Sequence, residues 1–193
     1  LFQTEGMAVT LLDTPGHVDF STEMERTLQV LDYAILVISA TDGVQAHTET
    51  LWRLLRRNHI PTFLFVTKMD LPNPGREALL AELQKHLDEG CVDFTQRDQA
   101  WAEAVALREE RLLEQYLDTG ALSPRDVSGL IRLGKLTPVF FGAALRLEGV
   151  EAFLQGLETF TEAPAYGEAI AARVFKNARD HQGNRLTYLK VIG

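Results

Sequence analysis

The sequence predicts an α/β fold: a doubly wound, mostly parallel sheet, a helical insertion, and the start of a second, β-barrel domain. Three observations carry that expectation. Apolar runs at 9–12, 33–39, 61–66 and 138–141 are short, as in buried strands, and that at 33–39 is continuous, as in a strand buried on both faces. Stretches at 20–31, 48–58, 77–87 and 150–160 place apolar residues at helical spacing. Runs and helices alternate and are separated by turn residues, the pattern of successive βα units.

Taken in order, residues 1–3 read as a strand and residues 4–7 as a hairpin turn leading into the strand at 9–12. The helix at 20–31 has Ser21 or Thr22 as a cap and Met24, Leu28 and Leu31 on one face. After the strand at 33–39 and a turn at 40–43, the next helix turns Leu51, Leu54 and Leu55 inward and Arg53, Arg56 and Arg57 outward. Residues 91–135 break the rhythm. They predict a long charged helix over 101–117, with Trp101, Leu112, Leu113 and Tyr116 as core contacts, and a shorter helix after Ser123 and Pro124. A linker over 162–167 leads to two strands, 171–176 and 186–192, joined by a turn at 180–184. An isolated hairpin is marginal in water, so this pair is expected to open a β domain. The boundaries predicted are 1–162 for the α/β domain and 163–193 for the linker and first hairpin.

The chain has 193 residues, 46% of them hydrophobic and 24% charged, which describes a water-soluble domain with a sizeable core. A formal charge of −8 argues against a broad nucleic-acid footprint, so no direct DNA binding is expected. The single Cys91 cannot form an internal disulfide, and the expected compartment is a reducing cytoplasm. There is no apolar run near 18 residues, so no membrane partner is expected. Both ends read as mid-strand, as if cut from a larger protein.

The chemistry gathers at three strand ends. Asp13 to Gly16 follows the first sheet strand, Thr67 to Asp70 the third, and Gly142 to Leu145 the fourth. In open α/β sheets, ligands lie outside the carboxyl ends of the strands. A carboxylate there suits a hydrated Mg²⁺, and a glycine amide suits a phosphate oxygen.

In this order the three segments resemble the third, fourth and fifth nucleotide boxes of a GTPase. Asp13-Thr-Pro-Gly-His17 further resembles the translational GTPases. Residues 30–45 are similar to elongation factor G and closer still to the tetracycline-resistance ribosomal protection proteins. Trp101, residues 112–116 and Arg173 to Lys176 support that narrower likeness. The resemblance implies a sheet of the P-loop GTPase type, incomplete here because its first strand is missing. It implies GTP or GDP with Mg²⁺ as ligands, and the ribosome as partner through a full-length protein. Asp13 would hold Mg²⁺ through water, Gly16 would donate its amide to the γ-phosphate, and His17 would orient the attacking water. Asp70 would accept the N1–H and exocyclic amine of guanine, a donor pair adenine lacks. Lys68 would lay its stem over the base, and the amides of Ala143 and Ala144, with Leu145 beside them, would meet the guanine O6.

Thr67 stands where the family has Asn, and its shorter hydroxyl can replace only part of an amide's bonding. Ala143 stands where Ser is usual. No Gly-x-x-x-x-Gly-Lys-Ser/Thr loop precedes Asp13. Residues 129–136 imitate one, but Gly134 reads as a helix C-cap. The chain alone is therefore expected to turn over little GTP. The other readings left open are a non-hydrolysing ribosome-docking scaffold and a GTPase of the initiation or release-factor kind. His47, His59, His86 and His181 have no comparable context.

Overall fold

The computed structural model describes residues 2–3, 6–14 and 26–193. The predicted caps Ser21 and Thr22, and the candidate site residues Gly16 and His17, lie outside them. Among the described residues the elements run β1 (Phe2–Gln3), β2 (Ala8–Val9), β3 (Ala34–Ser39), α1 (Ala46–Arg57), β4 (Thr62–Thr67), α2 (Arg76–His86), β5 (Cys91–Asp93), α3 (Gln99–Ala106), α4 (Glu110–Thr119), α5 (Pro124–Arg132), β6 (Thr137–Phe141), a 3₁₀ turn (Ala144–Arg146), α6 (Val150–Phe160), β7 (Ala172–Arg179) and β8 (Arg185–Val191). Among these residues no helix is long and apolar enough to cross a membrane. The chain forms two compact units, Tyr33–Glu162 and Leu1–Asp32 with Ala163–Gly193.

The Tyr33–Glu162 unit is built on a parallel sheet in the order β3-β4-β6-β5. Side chains alternate across it, so the central strands β4 and β6 feed two cores. Leu36, Ile38, Leu64, Val66, Val139 and Phe141 line one face with Trp52 of α1 and Leu79 and Leu83 of α2. On the other, Phe65 and Phe140 lie 5.1 and 5.2 Å from Phe153 of α6, and Phe94 meets Phe160 and Trp101 at 5.4 Å. Helices therefore cover both faces, and the sheet is doubly wound as expected. Each buried phenylalanine contributes roughly 2–3 kcal/mol of transfer free energy. Gly156 is required on α6 because a Cβ there would sit 2.3 Å from the Phe140 ring.

The insertion differs from its sequence reading. Cys91–Asp93 is a strand, because its backbone completes the sheet beside Thr137–Phe141 and Phe94 N donates to Val139 O at 2.7 Å. Burial, and secondarily the nearby Asp88, push the Cys91 thiol up to about 12, so Cys91 is a packing residue and no nucleophile. The single long helix is two. Asp98 caps α3 by accepting from Trp101 N, and Glu109 turns extended, with φ −151°, before α4 begins. At the break, Arg108 donates to the carbonyls of Ala104 and Glu89. Ser123 precedes Pro124 at the start of α5 but makes no side-chain cap bond. Gly134, with φ 66°, ends that helix, so the phosphate-loop imitation is a helix terminus.

Strand β3 is an edge strand among the described ladders, and Ile35 and Val37 on one of its faces are exposed at 38% and 60%. The expectation of burial on both faces fails there.

In the other unit, β1 and β2 form a two-residue antiparallel ladder. The expected strand at 9–12 shrinks to Ala8–Val9, which among the described residues pairs with β1 alone. Leu11 is 58% exposed, and Asp13 lies in exposed coil beyond β2 rather than at the end of a sheet strand. β7 and β8 form an antiparallel hairpin of the kind that opens a β-barrel, with Val174, Tyr188, Leu189 and Val191 uncovered. Its turn is held by Asp180, which accepts from the amides of Gln182 and Asn184 and from the Asn184 side chain. The side-chain bond from Asn184, above all, holds the Asp180 carboxyl below the usual carboxylate range. Arg173 donates to Gln29 O and Lys190 to Val30 O, so the hairpin grips the carbonyls just after the helical residues 26–28.

Candidate functional site

β4 and β6 are adjacent and parallel, so Thr67 and Phe141 end on the same edge of the sheet. Two backbone bonds stitch the segments that follow: Gly142 N donates to Val66 O at 2.9 Å, and Met69 N to Gly142 O at 3.0 Å. Gly142 fits because a Cβ there would lie 2.3 Å from Glu148 O and 3.0 Å from Phe65 Cζ. Past it the chain folds back. Ala143 exchanges backbone bonds with Glu148 at 3.0 and 3.2 Å, around the turn Ala144–Arg146 and a left-handed Leu147 with φ 60°.

Thr67, Lys68, Asp70, Ala143, Ala144 and Leu145 are thereby brought to one rim. The Thr67 hydroxyl accepts a long bond, 3.4 Å, from Ala144 N and so links the β4 end to the β6 turn. It bridges the two boxes despite being shorter than the amide usual at this position. Lys68 has φ 63°, a left-handed backbone rare outside glycine, and its ammonium stands 3.9 Å from Asp42 Oδ2 in the turn after β3. Leu145 is 98% exposed. Asp70 shows solvent mainly its backbone; its side chain is only 15% exposed, and Oδ2 forms an ion pair with Arg146 Nε at 3.1 Å.

One expectation is revised. The Ala143 amide is used by Glu148 O and is not presented to a ligand, because the antiparallel bridge closes the turn. The amide of Ala144, weakly held by Thr67, is the one free to re-aim. Asp13 belongs to the other unit, and the expectations for Gly16 and His17 fall outside the described residues. Sequence reasoning missed Asp42 and Arg146. The only advance signal of either was a charged residue in the turn after a strand of the same sheet.

The family model described as Elongation factor Tu GTP binding domain matches residues 1–163. The chain belongs to the family of the elongation factor Tu GTP-binding domain. It is 34% identical to an oxytetracycline resistance protein of Streptomyces rimosus, over 99% of the chain and 33% of that protein. It is 28% identical to elongation factor G 2 of Geobacter metallireducens, over 95% of the chain and 37% of that protein. A crystal structure of a Thermus thermophilus protein superposes with a TM-score of 0.79 at 24% identity, covering 93% of the chain and 34% of that structure. This last is a likeness of fold. The chain spans about a third of the length of these relatives.

Proposed function

We propose that the chain is the guanine-nucleotide-binding part of a longer, ribosome-dependent GTPase. That protein hydrolyses GTP to GDP and phosphate and is of the tetracycline-resistance ribosomal protection or elongation factor G kind. Residues 1–162 form the nucleotide domain, and 163–193 lead into a β-barrel. The observation that supports this reading most is a covered, acceptor-only carboxylate, Asp70, fixed at the carboxyl edge of a parallel sheet beside the Thr67–Ala144 link. A carboxylate so placed takes two donors on one edge of a base, which guanine offers and adenine does not.

Lys68 covers the base with its stem, the Ala144 amide turns to O6, and Leu145 borders the base. Gly16 donates to the γ-phosphate, and His17 orients the attacking water, so its contribution is one of position. A Mg²⁺ that leans on substrate phosphates and keeps most of its waters asks for one or two protein carboxylates. Asp13, exposed in coil, is of the right type; no cluster of three metal-ligating side chains exists among the described residues. When bound, the ion neutralises charge on the phosphates.

Phosphate release from GTP by the full-length protein, measured with and without ribosomes, tests the reading. Ribosomes are expected to stimulate the wild type, and His17→Ala is expected to lower stimulated turnover by about 10²-fold or more while leaving GDP affinity intact. Turnover equal in both proteins, or a wild type that ribosomes do not stimulate, contradicts it.

A further inference from the structure

We infer that Arg146 sets the affinity of the guanine seat by competing with the base for Asp70. The inference rests on the reading above and adds to it a residue that discriminates between nucleotides. Arg146 ends the turn Ala144–Arg146, and its Nε stands 3.1 Å from Asp70 Oδ2 in an ion pair. The Asp70 side chain is 15% exposed, so little of the carboxylate is open, while the Arg146 side chain paired with it is 61% exposed. Guanine would present N1–H and its exocyclic amine to both oxygens of the same group. Its edge and the guanidinium seek the same partly covered carboxylate, so the base gains the full charge of Asp70 only when Arg146 releases it. The base therefore binds by moving Arg146 aside.

The backbone supports such an exchange. The turn is pinned by the Ala143–Glu148 bridge and by the left-handed Leu147, while the Arg146 side chain is 61% exposed. It can leave for water without moving the loop. An exposed ion pair is worth little, typically under about 1 kcal/mol, so the competition is modest. Its influence falls on nucleotides that need Asp70 and on no others.

Titration of fluorescent GDP and ADP analogues into the full-length protein, wild type and Arg146→Ala, tests this. Arg146→Ala is expected to tighten GDP binding about two- to fivefold and to leave ADP binding unchanged. The GDP difference is expected to shrink as salt rises from about 0.05 to 0.5 M, because screening weakens the ion pair in the wild type alone. Arg146→Lys, which keeps the charge, is expected to stay near the wild type. GDP binding that is unchanged or weaker in Arg146→Ala overturns the proposal, weaker binding meaning that Arg146 contacts the base directly. An equal gain for ADP also overturns it, since the effect would then be general charge. A wild type that binds no guanine nucleotide removes the underlying function, and this proposal with it; that result is separate from the other two.

Discussion

Replacing Asp70 with Asn is expected to weaken GDP binding by about 10²–10⁴-fold and to raise affinity for xanthosine diphosphate. The carboxylate offers two acceptors to two donors of guanine. An amide keeps one acceptor and turns an N–H toward a donor, which leaves a desolvated donor unpaired on each side. Xanthine carries a carbonyl where guanine has its amine, so the Asn N–H finds an acceptor there. The substitution preserves shape, and the Asp70 side chain already sits against Arg146 in the wild type. The folded state is expected to tolerate it, with a melting temperature close to the wild type. Competition of the two diphosphates against a fluorescent nucleotide checks the exchange of preference. Equal GDP affinity in wild type and Asp70→Asn would show that this carboxylate does not read the base.

Gly142→Ala is expected to damage both stability and the site. The added methyl would lie 2.3 Å from the carbonyl oxygen of Glu148, a backbone atom that cannot rotate away, and 3.0 Å from the Phe65 ring. Relief requires the Ala143–Glu148 bridge to open, which releases the turn carrying Ala144, Leu145 and Arg146. Overpacking of this kind destabilises by about 1–3 kcal/mol. Guanine affinity is expected to fall together with the melting temperature, because one bridge holds the loop and closes the core. Gly156→Ala, remote from the rim, crowds the Phe140 ring instead and serves as the control for stability lost without the loop. A wild-type melting temperature and wild-type GDP affinity in Gly142→Ala would mean that the loop does not depend on this close approach.

Much of this arrangement could be read from residue types. The runs behind β4 and β6 are mostly apolar, as suits strands covered on both faces, and helix α6 begins and ends where its periodicity does. Thr67 and Asp70 are legible as polar residues in a turn at a strand's carboxyl end, and the role expected of them comes from the resemblance to the fourth nucleotide box. What escaped was decided by partners distant in sequence. Cys91–Asp93 is too short to declare itself and becomes a strand only by pairing with Thr137 to Val139. Val37 and Leu11 have the composition of core residues, yet their exposure depends on what pairs with β3 and β2. The engagement of the Ala143 amide follows from a turn that brings Glu148 back, and so does the reach of Arg146 to Asp70. No spacing in the sequence encodes those two contacts.

The most direct measurement is a crystal structure of the full-length protein with GDP bound. The base is expected with N1–H and the exocyclic amine within hydrogen-bond distance of the two Asp70 oxygens, O6 at the Ala144 amide, and Arg146 turned into solvent. A base bound away from this rim, with Asp70 still paired with Arg146, would contradict the guanine site described above.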